Sequence, residues 1–228
     1  MVINKSNIPL YGVIVVLSII IGALYIYYNL RKEGITNKQV LLYFIMYVSF
    51  AFIFGKMYTM LAYGINDIIT AGLSAYGGLI GTIFASIVFE KILPVDGKII
   101  KYTTLSLPLV YGLTKIACAV MGCCGGLPYE GLLKVKYPSV LNIWQFPIQL
   151  IEVIICLIIF FICQLLHKNK NINYIMLIVI SITKFSLDFL RYEHIDTLIT
   201  KNQIFSIILL LITIIALIIN KYKETRKN

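Results

Sequence analysis

Apolar runs of membrane-spanning length dominate the chain. Seven of them fall at about 10–30, 40–63, 73–93, 99–121, 147–166, 172–190 and 204–220. As helices rising ~1.5 Å per residue, they are long enough to cross a hydrocarbon core of about 30 Å. Only 13% of residues are charged, about half the ~25% usual in soluble domains, and this excludes a soluble globular class. The expected fold is all-α, a polytopic membrane bundle of seven transmembrane helices forming one domain over 1–228. Its connections are short. The longest, 122–146, holds the only tryptophan, Trp144, with Pro128 and Pro138. The first run lacks a small-residue cleavage site and six more follow it, so it reads as an anchor and not a signal peptide.

In a soluble protein the net charge of +10 would suggest nucleic acid. Here no nucleic-acid partner is expected, because the charge reads as topology. Twelve Lys and Arg lie on the side of the first loop, four of them in a basic tail at 221–228. Five lie on the other side: Lys5, Lys134, Lys136, Arg191 and Lys201. The bias predicts a cytoplasmic C-terminus and an external N-terminus.

Lys56, Lys115 and Lys184 remain, and they fall inside the second, fourth and sixth runs with Glu152 and Asp188 in the fifth and sixth. Ionisable groups are costly in a bilayer and face a partner or a water-filled cavity. With this topology all five sit at one depth, in the outer leaflet. Lys184 and Asp188 are four residues apart, one above the other on a helix face and able to pair. With Arg191 at the rim the group is cationic in excess, which suits an anionic ligand such as a phospholipid phosphate. The bland alternative is a set of interhelical ion pairs, or lysines snorkelling to the headgroups.

Other residues share that level. Tyr76-Gly77-Gly78 opens the third run, where paired glycines free backbone N–H groups for an oxyanion or simply let helices pack closely. Tyr11-Gly12 lies near the outer end of the first, where Tyr11 also suits an aromatic belt. Cys118, Cys123 and Cys124 fall within seven residues beside Lys115. Nearby cations favour the nucleophilic thiolate, so covalent chemistry is one reading and soft residues at a helix end the other. No second C-x-x-C and no nearby histidine follow, so no metal site is expected.

The order of these motifs resembles the prolipoprotein diacylglyceryl transferase family of bacterial membrane enzymes. Tyr11-Gly12 matches its first-span Tyr-Gly, and Gly55-Lys56 a second-span Gly-Arg. The run from Tyr76 to Gly81 matches His-Gly-Gly-Leu-Ile-Gly. Thr114 through Gly126 matches the signature Gly-Arg-Ile-Gly-Asn-Phe-x-Asn-Gly-Glu-x-x-Gly. Phe146 through Glu152, with Gln149, matches His-Pro-x-Gln-Leu-Tyr-Glu, and Lys184 through Arg191 matches Arg-Phe-x-x-Glu-Phe-x-Arg. Three family arginines appear as lysines, which keep the charge and lose the bidentate fork. The signature Glu appears as Cys123, its asparagines as Cys118 and Met121, and the third-span His as Tyr76.

The resemblance implies transfer of a diacylglyceryl group from phosphatidylglycerol to a thiol, releasing glycerol phosphate, in the outer leaflet of a bacterial plasma membrane and without a cofactor. The acceptor is a lipoprotein-precursor cysteine, another peptide or a small molecule. Lys115 and Lys184 would clamp the phosphate, with Lys56 reinforcing the field and Asp188 orienting Lys184. Gln149 and Glu152 would fix the glycerol or its neighbouring helices, and Tyr11 and Tyr76 would hydrogen-bond reacting oxygens. Cys123 or Cys124 would take the lipid group covalently and pass it on. Two readings of other classes stay open: a non-catalytic lipid- or peptide-binding bundle, and a membrane cysteine peptidase or acyltransferase pairing Cys123 or Cys124 with His194.

Overall fold

The computed structural model describes residues 8–93, 95–136 and 143–226. Lys5, Lys227 and Pro138 lie outside the described residues. Among those described, seven α-helices carry the chain: α1 (Ile8–Lys32), α2 (Asn37–Tyr63), α3 (Ala75–Ile92), α4 (Lys98–Met121), α5 (Ile148–Leu165), α6 (Ile172–Asp188) and α7 (Lys201–Thr225). Six are long and apolar enough to cross a membrane, whereas α6, expected over 172–190, stops at Asp188 after 17 residues. A minimal antiparallel pair, β1 (Val135–Lys136) and β2 (Trp144–Gln145), is added inside the longest connection.

Many large apolar side chains point outward, and many small polar ones point inward among a buried apolar core. Leu17, Leu24, Ile45, Phe52, Ile154, Leu211, Ile215 and Ile218 are exposed, while Ser18, Thr59, Thr82, Ser86, Thr103, Thr104, Ser181 and Thr213 are buried. Water would oppose that partition; lipid, as apolar as leucine, permits it and leaves association to close packing and interhelical hydrogen bonds. Several buried hydroxyls are satisfied by the preceding turn of their own helix, as Ser86 is by the Thr82 carbonyl and Ser181 by the Leu177 carbonyl. The protein is a multi-pass membrane protein.

Packing divides the chain into two compact units, Ile20–Leu107 and a second made of Met1–Ile19 with Pro108–Asn228. In the first, Thr36 and Gln39 form a capping box that starts α2, and Gly64 ends it in the left-handed conformation. The chain then doubles back. Lys56 donates to the carbonyls of Ala71 and Ile69, and Ser74 N–H to the Gly55 carbonyl. Helices α2 and α3 meet through glycine. A Cβ on Gly77 would lie 2.2 Å from the Phe54 carbonyl oxygen, and one on Gly81 2.3 Å from that of Phe50. The fully buried Tyr43 hydroxyl joins Ser86 of α3 to Thr103 of α4. Beyond the end of α1, Glu33 takes the Tyr102 hydroxyl at 2.7 Å and Lys98 at 3.3 Å, and this hydrogen bond and charge hold its carboxyl below the ordinary range.

In the second unit, α5, α6 and α7 pack in sequence and α4 supplies its half beyond Pro108. Gly112 lets α4 approach α5, since a Cβ there would sit 2.9 Å from that of Cys156. Cys156 and Cys163 are both buried.

Gly81→Ala is expected to destabilise the first unit by ~1–3 kcal/mol, because the methyl overpacks against backbone that cannot rotate away. Gly78→Ala, whose Cβ would find only the Ala51 carbonyl at 3.9 Å, is expected to stay within ~0.5 kcal/mol. Circular-dichroism melting in detergent reads both, and equal midpoints for the two variants would refute the packing account.

Candidate functional site

Tyr111, Lys115 and Cys118 follow one another at four and three residues along α4, so they share a face of that helix. Across from them α5 presents Glu152. Its carboxylate takes Lys115 at 2.9 Å, Arg191 at 2.7 Å, Lys184 at 4.0 Å and the Tyr111 hydroxyl at 2.9 Å. Lys184 also donates to the Tyr111 oxygen and lies 3.7 Å from its ring centroid. Glu152 is only 2% exposed, Arg191 5% and Lys115 6%. One buried carboxylate therefore serves three cations, each of which would cost several kcal/mol to bury alone.

Asp188 supplies the second negative charge, though not to Lys184 as the spacing suggested. It lies 3.2 Å from Arg191 and 3.8 Å from His194, and it accepts the Thr200 hydroxyl. Thr200 and Gln203 cap each other's backbone N–H at the start of α7, so Asp188 braces that helix as well. Lys115, Lys184 and Arg191 against Glu152 and Asp188 leave the group one positive charge in excess. Burial works against the charge on Arg191, but Glu152 outweighs it and holds the guanidinium more firmly protonated than usual.

Arg191 is delivered by backbone pairing. Leu127 N–H reaches the Leu190 carbonyl at 2.9 Å and Tyr192 N–H the Gly125 carbonyl at 3.0 Å, while Phe146 N–H takes the Leu127 carbonyl at 2.9 Å. Gly126 lies between these strands, where a Cβ would fall 2.2 Å from the Phe146 carbonyl oxygen.

The cysteines meet at the end of α4. Gly122 turns left-handed with φ +73°, and Cys123 N–H returns to the Cys118 carbonyl at 3.1 Å, the six-residue closure of a Schellman cap. Cys124 follows with φ +56°, an unusual conformation for a residue with a Cβ. Gln149, fully buried, donates to the Cys123 carbonyl at 2.8 Å. The three Sγ atoms lie within 4.8 Å of one another, all as free thiols, with Cys124 exposed and the others half-buried. Hydrogen bonds from Cys118 and Cys123, helped by Lys115 and Arg191, pull the Cys124 thiol well below its ordinary range, while hydrogen bonds with Cys118 and Cys124 and burial push Cys123 up. Tyr11 lies within electrostatic range of all three cysteines and of Lys115.

The remaining sequence candidates belong to the other unit. There Lys56 closes the loop after α2, Tyr76 stacks on Tyr58 with ring centroids 6.0 Å apart, and Gly77 is occupied by the backbone of α2.

A sequence model of the prolipoprotein diacylglyceryl transferase family matches residues 1–219. The chain belongs to that family. No curated protein matches it. The family is one of membrane transferases acting on phospholipid donors and lipoprotein substrates, and the site can be set against that chemistry.

Beside α4 runs an open groove of about 570 Å³. Ile116, Val120 and Leu150 form its apolar floor, and Lys134 and Lys136 lie at its edge with Trp144, 4.8 Å and 5.6 Å from the indole centroid. Such a lining accepts an acyl chain with an anionic end. Tyr111 is the member of the cation group that the motifs did not single out. Its signal was its place one helical turn before Lys115. Thr200 has no comparable signal, because its partner Asp188 lies twelve residues away across a turn.

Glu152→Gln keeps the shape of the side chain and strips three buried cations of their shared counter-charge. A loss of ~3–5 kcal/mol is expected, read as a lower thermal midpoint in detergent. An unchanged midpoint would show that the cations are balanced elsewhere.

Proposed function

We propose that this protein transfers a diacylglyceryl group from phosphatidylglycerol to a thiol. The observation that carries the reading is the buried group on Glu152, with three cations against two carboxylates. As the acceptor sulfur bonds to the glycerol carbon, the carbon–oxygen bond to phosphate breaks and its electron pair leaves on the phosphate oxygen. Charge on the phosphate grows along that path, so fixed cations stabilise the transition state more than the bound lipid. Lys115, Lys184 and Arg191 supply that stabilisation, with Glu152 and Asp188 as positioning residues. The groove along α4 takes an acyl chain, and Lys134 and Lys136 draw the anionic lipid to it. Cys123 stands where the family motif has its carboxylate, with Cys118 and Cys124 beside it, and the acceptor thiol is activated there. The same reading puts the chemistry in the outer leaflet of a bacterial plasma membrane, with the C-terminus in the cytoplasm.

His194 sits against Asp188 at 3.8 Å and on the Phe189 ring at 4.9 Å. This gives the cysteine hydrolase alternative no support.

The test is the purified chain in vesicles of phosphatidylglycerol with a cysteine-containing peptide, followed by mass measurement of the peptide. A thioether adduct carrying both acyl chains is expected, together with released glycerol phosphate. Lys184→Ala should lower kcat/KM by ~10² or more, in line with loss of one preorganised charge. Replacing Lys134 and Lys136 together with alanine should raise KM for the lipid and spare kcat. Adducts forming equally well from phosphatidylcholine vesicles would overturn phosphatidylglycerol as the specific donor, and an unchanged kcat/KM in Lys184→Ala would overturn the role of the cation group.

A further inference from the structure

The spacing of Cys118, Cys123 and Cys124 matches no metal-binding pattern, yet the fold gathers them. The helix cap does this in two steps. Gly122 and the hydrogen bond from Cys123 N–H to the Cys118 carbonyl lay Cys123 beside the last turn of α4. The left-handed Cys124 then curls the chain back, in a conformation that residues with a Cβ seldom adopt. Gln149 pins the carbonyl between the two. Neither Cys156 nor Cys163 belongs to the cluster, so the gathering is local to this cap.

Three thiol sulfurs within 4.8 Å of one another are already close to the spacing a single ion requires. A tetrahedral ion with metal–sulfur bonds of ~2.3 Å separates its sulfurs by about 3.8 Å. Sulfur donors select thiophilic ions of the zinc and cadmium kind over calcium or magnesium. Among the described residues no fourth His, Cys, Asp or Glu joins the group. Structural zinc sites are closed by four protein ligands, whereas catalytic ones keep three and leave a position for water or substrate. Cys124 is the exposed member, so the group is not sealed from solvent.

We propose that Cys118, Cys123 and Cys124 form a three-thiolate site for a thiophilic divalent cation, with its fourth position open to a substrate thiol. Binding the ion displaces three thiol protons to solvent. Taken with the transferase reading, on which this last part rests, the fourth ligand is the acceptor cysteine. Its proton passes to solvent on coordination, because a metal-bound thiol is deprotonated outright. The sulfur lone pair then forms the bond to the glycerol carbon while the phosphate oxygen leaves with the electron pair of the broken bond. The ion changes neither charge nor oxidation state. Cys123, at the position of the family carboxylate, thereby helps to activate the thiol by coordination instead of by accepting its proton.

The experiment uses the full chain in detergent under reducing conditions, loaded with zinc or cadmium and freed of excess. Expected are one equivalent of bound metal, a cadmium–thiolate charge-transfer band, and three sulfurs at ~2.3 Å around zinc by X-ray absorption. Cys118→Ser, Cys123→Ser and Cys124→Ser should each weaken binding by ~10² or more, whereas Cys163→Ser should leave it unchanged. Thermal melting of each variant without metal separates loss of a ligand from loss of fold. Less than a tenth of an equivalent bound, or binding retained when all three are serine, would overturn the site.

Adding the cysteine peptide should raise the zinc-bound sulfurs from three to four. A count that stays at three overturns the open position. Full turnover after chelation overturns the ion's part in transfer and leaves the transferase reading standing. No turnover by a protein whose metal site is intact overturns the transferase reading and leaves the site standing. A diacylglyceryl group on Cys123 or Cys124 itself would overturn the coordination role, since an alkylated sulfur is no longer a thiolate ligand.

Discussion

The second unit depends on one buried carboxylate. In a medium that cannot solvate charge, Lys115, Lys184 and Arg191 each need a counter-charge within a few ångströms, and Glu152 is where all three find it. That requirement ties the second half of α4, the start of α5, the end of α6 and the segment after it to a single point. The pairing of Gly125 and Leu127 with Leu190 and Tyr192 then follows as the means of bringing Arg191 to Glu152. Asp188 extends the network to α7 through Thr200. Interactions that would be weak at a water-exposed surface become the frame of the unit, because breaking any one of them strands a charge.

The same point explains why the site is rigid. Charges that Glu152 already holds in place need little reorganisation to meet an anion. Rigidity on the thiol side has a different origin. It comes from a helix cap, in which one left-handed glycine and one left-handed cysteine decide where three sulfurs go.

What the sequence disclosed followed from patterns of short range. The apolar runs marked the helix ends to within five residues, closely at α5 (147–166 against 148–165) and most loosely at α7 (204–220 against 201–225). Shared depth groups Lys56, Lys115, Glu152, Lys184 and Asp188 in the sequence. The structure links the last four through Arg191 and Glu152, while Lys56 donates instead to the Ala71 carbonyl. The choice of partners was hidden. Lys184 and Asp188 have helical spacing for a pair, but Arg191, three residues beyond Asp188 and freed from the helix, takes that carboxylate. Gly77 was weighed as an anion-binding glycine or a packing glycine, and the backbone of α2 occupies the space beside it. The thiol cluster lay beyond a search for ligand spacing because it depends on the sign of φ at Gly122 and Cys124, which no motif encodes.

The 17-residue length of α6 bears on how polar species reach the site. At ~1.5 Å per residue it spans about 26 Å, several ångströms less than the ~30 Å of a typical hydrocarbon core. A short span is accommodated by thinning of the surrounding bilayer or by drawing the interface inward, at a fraction of a kcal/mol per ångström. The end of α6 is Asp188, followed directly by Arg191 and His194, so the deficit falls where the polar groups are. Hydrophobic mismatch at α6, close to that of the 18-residue α3 and α5, would thin the membrane beside the cation group. Polar species would then meet the cation group from the water side without crossing the full apolar thickness.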